Sequence, residues 1–175
     1  HVKEYMGARY DCEILVENNV IADLKGQYLD LSGTNRNLVY LYISDGVGGS
    51  IICNGQVIDG ENSMAGKFAH ILVESGGRRC ACGKRGHLES YVSKPAMEEA
   101  YFEASGKRLE LPEICRLAGE GEKAAAAVLK DAIDKLAIGI NQILLVVNPG
   151  TLVLYGDLFE SVDGILERLK QKTKE

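Results

Sequence analysis

The sequence has no run of apolar residues long enough to span a bilayer, and its opening stretch, HVKEYMGARYD, lacks the apolar core of a secretory signal. A soluble, cytoplasmic protein that makes no membrane contact is the expectation. A basic surplus is missing too: 20 Lys and Arg stand against 25 Asp and Glu, a net charge of −5. Neutralising phosphates needs clustered cations, so any DNA contact is expected to come from sequence outside these 175 residues. There is no C-x-x-C pair of the kind a thiol oxidoreductase uses. There is also no internal repeat and no low-complexity linker. With 46% hydrophobic and 26% charged residues, one compact α/β unit over 1–175 is the economical reading. The start reads as the tail of a helix and the end lies inside a charged helix, so a piece of a larger protein, truncated at both ends, is expected.

What is present divides into a sheet-rich first half and a helical second half. DCEILVEN, 11 to 18, reads as a strand, followed by helix to about Leu29. LVYLYIS, 38 to 44, has the aromatic and β-branched content of a buried strand, and a glycine turn leads it into SIICNG as a hairpin. Asn54-Gly55 signals a second tight turn before QVIDG. Further on, Ser93 and Pro95 mark a helix start and Gly106 its stop, and LPEICRLAGEG reads as a short helix. From about 121 to 147, Val128, Leu129, Ala132, Ile133, Leu136, Ile140, Ile143, Leu144 and Val147 fall at helical spacing and predict one long helix with a broad apolar face. Asn148-Pro149-Gly150 stops it, TLVLYG follows as a strand, and DLFESVDGILERLKQ reads as a single helix.

Five cysteines are an odd number. Cys12, Cys53 and Cys115 lie in or beside apolar stretches and are read as buried free thiols. Cys80 and Cys82 sit instead in CACGKRGHLES, among polar residues and glycines. With His70 and His87 they supply two thiolates and two imidazoles, which complete a tetrahedral structural zinc site. Gly83 and Gly86 can adopt the left-handed angles that fold His87 back toward the cysteines. The alternative is a loop with incidental cysteines, a core histidine at 70, and a Glu89 that merely favours a helix start.

Six segments, V-E-N-N at 16–19, D-G-V-G-G at 45–49, N-G-Q-V-I-D-G at 54–60, A-G-K-F-A-H at 65–70, C-A-C-G-K-R-G-H-L-E at 80–89 and N-P-G-T-L-V-L-Y-G at 148–156, together resemble the ROK family of bacterial sugar kinases and sugar-responsive repressors. The resemblance implies an actin-like, ribonuclease-H-like α/β fold, a mixed sheet with flanking helices, and a sugar site beside a structural zinc. It places Asn18 and Asn19 where the family has an Asn-Asp pair that supplies a sugar ligand and a catalytic base. Lys67 and His70 fall where the family has a sugar-binding glutamate and a histidine that also ligates zinc. Glu89 matches another sugar-binding glutamate, and His87 stands in place of a third cysteine.

The departures fall on chemistry. Asn19 cannot accept a proton as a carboxylate would, although its amide can still bond a hydroxyl. Ser44-Asp45-Gly46 replaces a Gly-Thr-Gly turn that faces nucleotide phosphates in the kinases, and a carboxylate there repels phosphate. The family's amino-terminal phosphate loop has no counterpart before Asp11. Lys67 exchanges an acceptor for a cation, which suits a phosphorylated or carboxylated sugar, or else simply points to solvent. The expectation is therefore a catalytically inactive effector domain of a ROK-type regulator. It would bind a sugar or sugar phosphate through Asn18, Asn19, Lys67, His70 and Glu89, with zinc on His70, Cys80, Cys82 and His87. A winged helix-turn-helix outside the sequence would meet DNA, and a homodimer or higher oligomer would transmit the signal. The competing readings are a piece of an ATP-using sugar kinase and a zinc-stabilised oligomerisation module.

Overall fold

The structure is a computed structural model, described here for residues 2–12, 26 and 36–173. A short helix α1 (Val2–Gly7) precedes three strands, β1 (Leu38–Ile43), β2 (Val47–Cys53) and β3 (Gln56–Ile58). A one-turn 3-10 helix follows at Phe68–His70. Helices α2 (Glu89–Val92), α3 (Lys94–Ser105), α4 (Leu111–Gly119) and the long α5 (Lys123–Val147) lead to β4 (Thr151–Tyr155), and α6 (Asp157–Ser161) and α7 (Ile165–Lys172) come last. The sheet order is β3-β2-β1-β4, antiparallel from β3 through β1 and parallel between β1 and β4. No helix among the described residues is long and apolar enough to cross a membrane.

β1 is central, and every residue of LVYLYI except Tyr42 is buried. Val39, Leu41 and Ile43 face the helical layer, while Leu38 and Tyr40 pack with Ile52 on the opposite face. A strand covered on both sides needs an unbroken apolar run, which explains its composition. Asn54 and Gly55 both take positive φ, 53° and 82°, the pair of angles that a two-residue hairpin turn requires.

The long helix begins where the Glu122 carboxylate accepts from the Ala125 N–H at 2.7 Å, and it ends at Asn148 in a left-handed conformation just before Pro149. Its buried stripe, from Ala125 through Ile143, is the floor of the main core. Gly139 on that stripe is tight against Leu88, since a Cβ there would stand 3.0 Å from the leucine side chain. The loop carrying the cysteines is thereby seated directly on α5.

Two expectations change, and a third lies outside the described residues. The segment read as one helix from Asp157 is two, because Val162 is extended and Gly164 takes φ 68°, turning the chain so that both Leu158 and Ile165 reach the core. Cys115 is buried as expected, but Cys12 and Cys53 are exposed; Cys53 ends β2 where the strand leaves the core. The strand and helix expected over 11–29 lie largely outside the described residues. The remaining boundaries of the sheet and of α3, α4 and α5 agree with the sequence reading to within a few residues.

A close backbone approach fixes the hairpin against the 3-10 turn. A Cβ on Gly66, whose φ is +76°, would lie 2.5 Å from the Gly49 carbonyl oxygen, and one on Gly49 would enter the Phe68 ring. Gly66→Ala is therefore expected to cost more than about 2 kcal/mol, above the ordinary cost of a substitution; urea unfolding measures it, and a change under about 0.5 kcal/mol would contradict this packing.

Candidate functional site

The loop between the 3-10 turn and α2 has little regular structure, so its backbone groups must find partners across the loop. Gly86 takes part in three of these bonds. Its carbonyl accepts from the Val73 and Glu74 amides at 2.8 and 3.2 Å, and its own amide donates to the Arg78 carbonyl at 2.8 Å. Gly86 takes φ +77°, and a Cβ on it would collide with the Glu74 carbonyl oxygen at 1.6 Å. Only glycine fits. A second turn is closed by the Cys80 amide donating to Lys84 O and the Gly83 amide donating to Cys80 O.

This folding gathers the four predicted ligands. Candidate ligand atoms of His70, Cys80, Cys82 and His87 all lie within 4.8 Å of one another. The Cys82 Sγ to His87 Nδ1 separation is 3.3 Å and the Cys80 Sγ to His70 Nδ1 separation is 4.0 Å. Donors around a tetrahedral zinc, each at roughly 2.0 to 2.3 Å from it, stand roughly 3.5 Å apart, so the cluster fits the ion. Burial pushes the Cys80 thiol up and the His87 imidazole down, the latter helped by the neighbouring His70 and Lys84. A neutral imidazole is ready to ligate, and the thiol gains a reason to lose its proton only when a cation is supplied.

Glu89, at the start of α2, faces the β1–β2 turn and accepts from the Val47 amide through Oε2 at 3.2 Å. That turn is Ser44-Asp45-Gly46, and it is tied from three further directions. The Ser44 amide donates to Gly46 O, the Ser44 hydroxyl donates to Asp157 Oδ2 at 2.6 Å, and the Lys94 amide donates to Ser44 O at 2.8 Å. Lys67 precedes the 3-10 turn and is exposed, with no carboxylate partner among the described residues. Asn18 and Asn19 lie outside the described residues.

The sequence reading missed Asp157 and the Glu74–Tyr91 pair. Asp157 is 113 residues from Ser44, and its one local signal is its place just past the carboxyl end of a strand, where α/β sheets present ligand-facing groups. A cavity of about 670 Å³ lies elsewhere, between α4, α5 and α7, lined in part by Cys115, Arg116, Leu129 and Arg168 and by no residue of the cysteine loop. Burial raises the Cys115 thiol to about 11, which keeps it protonated and inert.

The family model described as ROK family matches residues 1–175. This chain belongs to the ROK family. It is 30% identical over 164 residues to an N-acetyl-D-glucosamine kinase of Shigella boydii, which covers 87% of this chain and 54% of that protein. It is 26% identical over 172 residues to the xylose repressor of Bacillus subtilis, covering 98% of this chain and 44% of the repressor. Among solved structures, the ROK hexokinase of Thermus thermophilus superposes with a TM-score of 0.90 at 25% identity, over 99% of this chain and 59% of the hexokinase. The ROK chain has the actin-like ATPase fold of its structural neighbours, with a mixed sheet and flanking helices. It spans about half the length of the curated relatives it matches, and these include both kinases and a repressor.

Elemental analysis of the purified chain is expected to give about one zinc per chain. Cys82→Ser and His87→Ala should each lose most of it, and chelation should lower the melting temperature by roughly 5 °C or more. A metal-free chain with unchanged melting in His87→Ala would contradict the site.

Proposed function

We propose that this chain is the effector-binding part of a ROK-family transcriptional regulator, one that binds a sugar or sugar phosphate and transfers no phosphoryl group. The observation that carries this reading is the clasped turn at Ser44-Asp45-Gly46. Phosphoryl transfer relies on free amides and cations around the transferring group. Here the Ser44 and Val47 amides are already engaged, and the carboxylates of Asp45 and Asp157 stand at or beside the turn. At an effective dielectric near 20, a negative charge about 4 Å from a phosphate costs about 4 kcal/mol. Asn19 adds to this, since an amide offers no base for the sugar hydroxyl.

In this reading the chain's residues bind without reacting. The bond from Val47 holds the Glu89 carboxylate in one orientation and leaves Oε1 to accept a sugar hydroxyl. His70 turns Nδ1 toward the cysteine cluster, which leaves Nε2 for the ligand. Asn18 and Asn19 contribute amide hydrogen bonds, and Lys67 supplies a cation for a phosphate or carboxylate on the sugar. Zinc on His70, Cys80, Cys82 and His87 would have a closed shell of four protein donors and so would act as a rigid cross-link. Ligand then favours one closure state of the whole protein, in a homodimer in the cytoplasm, and changes the geometry of winged helix-turn-helix heads outside this chain. A sugar kinase is the second reading, favoured by the 30% identity to the N-acetyl-D-glucosamine kinase.

Two measurements on the full-length protein separate the readings. No sugar-dependent release of ADP is expected, and turnover near or above about 1 s⁻¹ would establish the kinase. In calorimetry, a sugar phosphate is expected to bind more tightly than the neutral sugar, and Lys67→Met should weaken only the former, by roughly ten- to a hundredfold. Equal affinity for both ligands would remove Lys67 from the site.

A further inference from the structure

The cysteine loop is held by a second set of contacts that involves none of its metal ligands. Tyr91 of α2 is 2% exposed, and its hydroxyl donates to Glu74 Oε2 at 2.5 Å while accepting from the Arg78 amide at 2.7 Å. The phenol fills a notch that glycine leaves, since a Cβ on Gly77 would fall 2.0 Å from the hydroxyl oxygen. The other Glu74 oxygen pairs with Lys135 of α5 at 3.1 Å, and the Arg78 guanidinium pairs with Asp131, one helical turn earlier, also at 3.1 Å. Both cations lie near the Tyr91 ring, Arg78 at 5.0 Å and Lys135 at 5.3 Å from its centroid.

From this geometry we infer that Tyr91 is a positioning residue for the metal centre. Its hydroxyl clasps Glu74 to Arg78 and so sets the path of the loop that delivers Cys80 and Cys82 to the histidines. The clasp uses none of the four metal ligands, so it orders the loop independently of the ion, and chelation gains affinity from that order. The inference rests on the reading of the cluster as a zinc site. Because Tyr91 lies two residues after Glu89 on the same short helix, the clasp also ties the metal loop to the carboxylate that faces the β1–β2 turn.

The test is zinc affinity of the full chain, measured by competition with a chromophoric chelator, beside the urea stability of the metal-free protein. Tyr91→Phe keeps the buried ring and removes the hydroxyl. Zinc affinity is expected to fall about tenfold, with faster hydrogen exchange at the Arg78, Cys80 and Gly86 amides of the metal-free chain. Glu74→Ala removes the acceptor of that hydroxyl, and the Lys135 ion pair with it, from an exposed position and is expected to reproduce the fall. Glu74→Gln, which still accepts from the hydroxyl, is expected to recover most of it. Wild-type zinc affinity in both Tyr91→Phe and Glu74→Ala, with only the metal-free stability reduced, would make Tyr91 purely structural and overturn the inference. A wild-type chain that takes up no zinc would overturn the metal reading and this inference together.

Discussion

At Gly86 three stretches of backbone cross within hydrogen-bond distance, and no other residue type fits there. Its carbonyl serves two successive amides, its amide serves Arg78, and a side chain would overlap the Glu74 carbonyl. His87 follows at once, then Leu88 against Gly139 of the long helix, then Glu89 against the β1–β2 turn. The candidate metal ligand His87 and the candidate sugar ligand Glu89 are thus placed by one crossing in an otherwise irregular loop. An irregular segment can hold residues this firmly because its polar groups are consumed internally, leaving few ways for it to rearrange.

Much of this was legible in the sequence where the signal is local. The apolar run of β1, the Asn54-Gly55 turn, the periodic stripe of α5 and the spacing of His70, Cys80, Cys82 and His87 each carry their own pattern, and the structure places them accordingly. Contacts between distant segments carried no such pattern. Nothing near Ser44 in sequence points to Asp157, and Tyr91 reads as one more apolar position although its hydroxyl joins Glu74 to Arg78. The break between α6 and α7 escaped because Val162 and Gly164 interrupt a charged segment whose overall composition still suits a helix. The exposure of Cys53 escaped for a related reason, since apolar neighbours in a strand do not say where the strand leaves the core.

The family contains kinases and a repressor on one framework, and the parts of that framework are separable in this chain. Scaffold elements, meaning the sheet, the long helix and the cysteine loop, depend on packing and on glycines that tolerate no substitute. The proposed ligand contacts fall to a few side chains at their rim. Asp45 and Lys67 are both exposed, so a change of charge at either position disturbs no core contact. Such a fold can lose or change a reaction while keeping its shape, which is why fold alone does not decide between catalysis and sensing.

The parallel pairing of β1 with β4 joins Leu38 to Thr151, so the strand at the middle of the sheet waits for a partner made 113 residues later. At roughly 5 to 20 residues per second on a ribosome, that delay is roughly 6 to 23 s. Among the described residues, β2 is the only strand paired with β1 that is made before β4, so one edge of β1 lacks its pairing strand while the helices over its face are still being made. Biosynthesis of this domain therefore passes through an interval, long by the standard of chain collapse, in which its most buried strand still lacks the pairing that completes its place in the sheet.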